Sequence, residues 1–445
     1  MKIRGLIVAA VVFFILAGIL YWSEHNQPAA DAAKGSADTP PVILKVDSSA
    51  ITGLNLEKKD AKPIVLTKAD SGEWKITEPQ PLRADQSAVS GMLSTLSSLS
   101  SERVVEDKAT DLKQYGLEPP GLQLDVSGTN NRMQKLIVGD DTPTGSAAYA
   151  MVSGDPRVYT IATYSKTSVD KSLNDLRDKR LLTVNPEKIN RIELARKNQT
   201  IVFGRNNKNE WQILKPGPLR TDSVQAGELA QKLTDARMEV SSSDSRTAAS
   251  AFAHATPLAT AKVTDESGTQ ELQVRKSGVG KSEDVYYAKS SAIDGIYKIN
   301  SDLGQALDKG VDEFRDKKLF DFGPGDPNKV ELHLGSKAYL LIRSGGDWWQ
   351  DGKKVDGGTV QSLISNLRDL AADKFSDSRF ANPTIDVRVT SDDGKRVEKV
   401  LMAKSNDAYV AKRENDPGLF ELSSTAIENL HKEVDEVKPA VGPSK

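Results

Sequence analysis

Apolar positions along the chain fall into one dense block and a long alternating remainder. The block is an uncharged run from Gly5 to Trp22, GLIVAAVVFFILAGILYW, and no second segment of that kind follows. Beyond it, runs of period two alternate with runs of helical period. Pro63 to Lys68 (PIVLTK), the turn Asp70-Ser71-Gly72 and Glu73 to Thr77 predict a β-hairpin with Trp74 and Ile76 on one face. The same hairpin returns as TIVFGR, an Asn-rich turn and EWQIL, then as YLLIRS, Gly345-Gly346 and DWWQ. Phe203 and Leu340 stand eight residues before their tryptophans and so match Leu66.

Trp74, Trp211 and Trp348 are 137 residues apart. A period that long is a whole small domain, because solenoid units run only ~20–50 residues. The indoles are expected to anchor hairpin cores rather than to serve as ligand platforms. A helix is expected behind each hairpin. Asp85 and Asp222, eleven residues after their tryptophans, are set to cap two of them. Ala88, Val89, Met92, Leu93, Leu96 and Leu99 give the first helix its apolar stripe. Val224, Leu229, Leu233 and Met238, filled in by alanines, give the second a weaker stripe, and Val360, Leu363, Ile364, Leu367 and Leu370 give the third.

The second half of each repeat is again strand-rich: LQLDV, QKLIVG, AAYAMV and VYTIA in the first, with counterparts in the other two. A terminal helix is expected to close each unit, ending in LRDKRLL (Leu176–Leu182), FRDKKLF (Phe314–Phe320) and IENLHKEVDEV. The first two heptads are 138 residues apart and share four of seven residues. Arg177, Asp178 and Lys179, with Arg315, Asp316 and Lys317, are candidate junction residues, since each heptad precedes the next repeat. The plainer account is a basic helix end complementing the macrodipole.

The predicted class is α+β: three tandem repeats of a mainly antiparallel sheet module with covering helices, behind one N-terminal transmembrane helix. The expected division is a cytoplasmic start at 1–4, an anchor at 5–22, a flexible linker at 23–41, and modules at 42–184, 185–322 and 323–437. A disordered tail at 438–445 follows.

Within the apolar block, Gly5 to Trp22 spans ~27 Å as a helix, close to the ~30 Å of a bilayer core. Phe13 and Phe14 lie in its middle, and Tyr21 and Trp22 sit where an interfacial belt belongs. Lys2 and Arg4 put the short end inside and everything from Ser23 onward on the extracytoplasmic face. A cleaved signal peptide with Ala30-Asp31-Ala32 as its processing site is the rival, but its apolar region would run only ~7–15 residues.

Length and composition agree with about three domains: 445 residues, 38% hydrophobic and 27% charged. With 60 basic and 62 acidic residues intermixed and a net charge of −2, no basic stripe offers itself to nucleic acid. The absence of cysteine excludes disulfides, thiolate metal sites and a lipidated N-terminal cysteine.

Chemistry is sparse. His25, His254, His333 and His431 occupy non-equivalent places, which argues against a metal site or a triad, and no cofactor is implied. Gly278 to Ser282 ends like a phosphate loop but carries Arg275 at the first glycine position and precedes a strand, so a hairpin loop is expected. Ser168-Val169-Asp170-Lys171 has the spacing of an acyl-enzyme nucleophile without its partner motifs, and Ser168 is expected to cap a helix. Asp321-Phe322-Gly323 stands without other kinase elements, and Asp392-Asp393-Gly394 signals a turn.

The WKITEP at Trp74–Pro79, the Ala84-Asp85 helix start, the YGLEPP at Tyr115–Pro120 and the LRDKRLL heptad together resemble the domain-of-unknown-function 4340 family of membrane-anchored bacterial envelope proteins. The resemblance is strongest over 42–184, clear over the second repeat and faint over the third, which lacks both YGLEPP and the heptad. Such proteins are often encoded beside gliding-motility-type ABC transporters. The resemblance therefore implies an accessory envelope role; with the anchor, the expectation is an inner-membrane protein facing the periplasm, whose tethered repeats suit transporter subunits or lipid as partners. It supplies no catalytic residues. The expected function is binding or scaffolding as a transporter accessory; the alternative is an envelope hydrolase using a carboxylate pair on cell-wall or glycan material.

Overall fold

The computed structural model describes residues 42–129, 133–239, 245–278, 284–323 and 325–440. The chain divides between Asp178 and Lys179 into two compact units. The first holds a nine-stranded antiparallel sheet; the second holds a seven-stranded and a nine-stranded one, among the described residues.

In the first unit the strands are β1 (Ile51–Lys58), β2 (Ile64–Lys68), β3 (Trp74–Glu78), β4 (Leu82–Arg83), β5 (Arg103–Glu106), β6 (Leu122–Gly128), β7 (Met133–Asp141), β8 (Ala147–Val152) and β9 (Val158–Ala162). Their order is β4-β3-β2-β1-β6-β7-β8-β9-β5. Two meanders thus run outward from the paired β1 and β6, and helix α1 (Gln86–Ser97) links them. Alternation explains the core: Leu54 and Leu56 of β1, Leu122, Leu124 and Val126 of β6 and Leu136 and Val138 of β7 are buried against α1's Val89, Met92 and Leu96. Short helices α2 (Thr163–Val169) and α3 (Leu173–Leu176) close the unit.

The second sheet uses β10 (Arg191–Arg196), β11 (Gln199–Arg205), β12 (Trp211–Lys215), β13 (Thr256–Asp265), β14 (Gly268–Ser277), β15 (Val285–Ser290) and β16 (Ile296–Ile299), in the order β12-β11-β10-β13-β14-β15-β16. Helices α4 (Ser223–Thr234), α5 (Ser245–His254) and α6 (Ser301–Leu307) accompany it. The strands equivalent to β4 and β5 shrink here to single bridges, Ile213 to Leu219 and Glu239 to Lys298.

The third sheet restores the nine-strand pattern. Its strands are β17 (Lys329–Leu334), β18 (Lys337–Ser344), β19 (Asp347–Gln350), β20 (Lys353–Val355), β21 (Lys374–Ser376), β22 (Ile385–Ser391), β23 (Arg396–Ser405), β24 (Ala408–Arg413) and β25 (Leu419–Ser423), with α7 (Gly357–Asp369) and α8 (Ser424–Asp435). The order β20-β19-β18-β17-β22-β23-β24-β25-β21 repeats that of the first sheet position for position. Asp85, Asp222 and Asp356 cap α1, α4 and α7, each accepting backbone N–H bonds from the first helical turn.

Several local expectations shift. Leu340 is exposed, and Leu341 takes the buried place of Leu66 and Phe203. The third hairpin turns through Gly345-Gly346 alone, with both φ positive, so the residue opposite its tryptophan is five positions back instead of six. Because side chains alternate, one residue of turn length reverses the face. Val224 is also exposed. It lies two residues, about 200° of helix, from Ala226, and Ala226, Leu229 and Leu233 form the buried stripe. Ser168 lies inside α2; the cap of α3 is Ser172, in a capping box with Asp175.

The heptads do not end helices. Helix α3 stops at Leu176 and α6 at Leu307, and from Arg177 and Arg315 onward the backbone is extended. The carbonyls at these points turn to the start of the module's own helix: Leu176 O accepts from the N–H of Asp85, the α1 cap, at 2.7 Å, and Phe314 O from that of Asp222, the α4 cap, at 2.9 Å. Leu181, Leu182 and Val184, read as the end of the first module, belong to the second core. Leu319, Phe320 and Phe322 belong to the third.

Candidate functional site

The tryptophans occupy one sheet each. Trp74, Trp211 and Trp348 are 6%, 6% and 5% exposed, facing Lys68, Arg205 and Arg343 across their hairpins. The Arg205 guanidinium lies 4.2 Å from the Trp211 ring centroid. They are walls of three separate cores and converge on nothing. Gly5, Phe13, Phe14, Tyr21 and Trp22 lie outside the described residues, and no helix among the described residues is long and apolar enough to cross a membrane.

The heptads form straps. In the first, Asp178 N–H donates to Arg83 O at 2.8 Å, and Arg177 bridges Ala84, the residue ahead of the α1 cap. Lys179 O, in the second unit, accepts from Met238 N–H at 2.9 Å, and Leu181 N–H donates to Ala236 O at 2.8 Å. The second strap repeats this pattern. Arg315 bridges Thr221 and Asp316 N–H donates to Arg220 O, after which Lys317 O and Leu319 N–H bond Ala372 and Leu370 of the third module. One extended heptad therefore leaves one sheet module with its first half and enters the next with its second. The third module has an exit strap too, Val355 bridging Pro439, but without the charged triplet.

Around the second strap the side chains build a polar cluster. Arg220 is ion-paired with Asp316, and its other guanidinium nitrogen donates to Lys318 O at 2.7 Å. Asp316 also accepts from Lys318 N–H at 2.9 Å. Burial raises the Asp316 carboxyl above its ordinary value, against the pull of that N–H and of Arg220. Arg315 lies 3.4 Å from the Phe375 ring centroid and pairs with Asp312 at 3.1 Å. A β-carbon at Gly418 would meet the Arg315 guanidinium, so a larger residue there requires that side chain to shift. Glu398 on β23 pairs with Arg413 of β24, which is 4% exposed. Burial pushes Glu398 up to about 7, while Arg220 and Arg396 pull it down and Asp321 pushes it further up.

Beside the strap an open cleft of ≈ 1190 Å³ runs between the second and third modules, with Trp211, Leu214, Val224, Arg315, Asp316 and Phe322 among its walls. Leu214 and Val224, 43% and 67% exposed, give it an apolar rim. Sites at such joints are common places for ligands and partners. Among the described residues no group of three His, Asp or Glu side chains is placed to hold a metal ion.

The sequence offered the heptads but not the residues that receive them. Arg83 and Arg220, each two residues before its capping aspartate, were the available signal. Arg413, Glu398, Phe375 and Gly418 lie in a module without a heptad and carry no local mark.

A family model described as domain of unknown function (DUF4340) matches residues 74–226 and 211–386. The matches begin at Trp74 and Trp211, equivalent positions one period apart, and each runs past its strap into the next module's hairpin and helix. No curated protein and no solved structure matches the chain.

Proposed function

Since the chain belongs to the DUF4340 family, we propose that it is a single-pass, membrane-anchored protein whose modules face the periplasm and bind or scaffold other envelope proteins, as an accessory to an ABC-type transporter. The observation that carries the binding half is the array itself. Repeated sheet modules, with the second strapped to the third beside an open cleft, extend a surface rather than enclose a reaction. The polar cluster supports the same reading, because Asp316 and Glu398 are each ion-paired with an arginine. The anchor half is supported by the uncharged run Gly5–Trp22 behind Lys2 and Arg4. The transporter rests on family resemblance.

The test is photocrosslinking in intact cells from positions on the cleft rim, Leu214 and Val224, followed by identification of what is captured. Transporter subunits captured from those positions, and not from an exposed site elsewhere such as Glu428, support the reading. Turnover of envelope polymers by the purified chain, with no protein captured, would replace it by a hydrolase. Because the chain has no cysteine, single introduced cysteines and a membrane-impermeant maleimide report sidedness directly.

A further inference from the structure

The outward edge of the tryptophan strand is closed in the first and third modules and open in the second. In the first, Trp74 N–H donates to Gln86 Oε1 at 2.8 Å, and Gln86 Nε2 donates to Trp74 O at 2.9 Å. One carboxamide thus serves both backbone groups that Trp74 turns away from β2. In the third, Val355 of β20 pairs with Trp348 and takes the same edge. In the second, Ser223 stands where Gln86 stands, directly after the capping aspartate. Among the described residues no side chain or strand meets Trp211 N–H or C=O on that side.

The register shows that these groups face outward. Trp211 and Ile213 stand two residues apart, opposite Arg205 and Phe203, so their backbone groups share a direction. Those of Ile213 point away from β11, since its N–H donates to Thr221 Oγ1 at 2.7 Å and its carbonyl accepts from Leu219 N–H at 3.2 Å. At Trp211 the edge is open, and it opens on the cleft. Trp211, Ile213 and Leu214 of β12 line that cleft together with Ser223 and Val224 at the start of α4.

We propose that the cleft takes an extended peptide segment of a partner protein, added to β12 as a short strand with its backbone amides on Trp211. This rests on the reading of the cleft as a docking place and specifies the occupant. The other two modules supply the chemistry: what completes this edge is an amide, from a side chain at Trp74 and from a strand at Trp348. Open strand-edge groups are matched by an extended segment of another chain. The added strand is short, because Leu219 and Thr221 already hold Ile213. Its side chains alternate between the two faces of the sheet. Leu214 offers an apolar contact on the face opposite the buried Trp211 and Ile213, and Val224 offers one on the helix side. The segment is therefore expected to carry apolar residues on both of its faces.

A displayed library of random short peptides, selected on the full-length protein, supplies the probe, and the tightest binder is then made as a free peptide. Bound peptide is expected to slow amide hydrogen exchange at Trp211. Ser223→Gln copies the first module's Gln86 at an exposed position and closes the edge from within. It is expected to weaken the peptide by about tenfold or more, the worth of two backbone hydrogen bonds, with no loss of stability. A library that yields no binder overturns the proposal. So does a bound peptide that leaves exchange at Trp211 unchanged, or one that binds Ser223→Gln as well as wild type. In cells, crosslinks from Leu214 and Val224 that persist undiminished in Ser223→Gln would leave the docking reading in place and strike the strand alone. A peptide that passes these tests while no transporter subunit is captured would keep the strand and strike the transporter.

Discussion

Arg220 is ion-paired with Asp316 as Arg83 is with Asp178, 3.8 Å apart, at corresponding places in two modules. In both, the arginine stands two residues before the capping aspartate of a helix and the acid is the third residue of an Arg-Asp-Lys heptad. The pair ties the start of a module's helix to the strap by which the chain leaves that module. The third module has Lys354 in the arginine's place, paired instead with Asp347 at 2.9 Å, and Ala440 in the acid's place. The array's charged exit chemistry stops where no further strap follows within the described residues.

Replacing Arg220 by Ala leaves Asp316 a buried acid without its counter-ion and removes a donor from Lys318 O. Both members are about a quarter exposed, so the expected cost is below the ~3–5 kcal/mol of a fully buried broken pair, roughly 1–3 kcal/mol. Asp316→Ala in the same background should recover part of it. A double-mutant cycle by denaturant unfolding checks this, and strictly additive losses would remove the pair from the joint.

Sheet modules, hairpins and helix caps were legible because each rests on local chemistry: alternation around Trp74, an aspartate ahead of Gln86, paired glycines at 345 and 346. The straps were not. LRDKRLL has good helix formers at every position but Asp178, and only the distant N–H groups of Asp85 and Met238 claim its carbonyls for bridges. Propensity gave way to tertiary hydrogen bonding. The pair of Glu398 and Arg413 was invisible for a related reason: it joins neighbouring strands β23 and β24, so only the register of the folded sheet brings the two together.

Each buried tryptophan should be a stability residue of its own module. Trp74→Ala and Trp348→Ala are expected to cost ~3–5 kcal/mol each. Trp349, 37% exposed beside Trp348, is the internal control and should cost under about 1 kcal/mol. Comparable losses at 348 and 349 would contradict the burial assignment.

The shortened third hairpin makes a sharper comparison between adjacent leucines. Leu341→Ala should destabilise by ~2–5 kcal/mol, whereas Leu340→Ala, on the open face of the sheet, should change stability by less than about 0.5 kcal/mol. Inserting one residue at Gly345-Gly346 restores the turn length of the other two modules. It should cost stability by pushing Leu340 toward the core and Leu341 out. Proteolysis of the third module under native conditions reads the outcome, and indifference to the insertion would mean that turn length does not set the register.

Asp155 in the first unit gives a pH test free of the module joint. Its carboxylate takes two hydrogen bonds from the Arg157 guanidinium, at 2.9 and 2.7 Å, and one from the nearly buried Tyr159 hydroxyl at 2.6 Å. Those donors, the Arg157 side chain first, hold it well below the usual carboxylate range, while burial and the same hydrogen bond push Tyr159 up to about 12. A depressed folded-state value means stability that is complete above the ordinary aspartate value near ~4 and is lost as pH falls below it. Asp155→Asn should therefore lower stability at pH 7 and flatten the acid limb of the unfolding profile. Tyr159→Phe removes a single donor and should cost about 1–2 kcal/mol while leaving most of the acid limb in place. Because Arg157 is the more exposed partner, at 46%, raising the salt should shrink the Arg157 contribution more than the Tyr159 one. Denaturant unfolding from pH 2 to pH 7 at two ionic strengths separates the two donors. An acid limb in Asp155→Asn as steep as wild type would show that other carboxylates govern the first unit's acid unfolding.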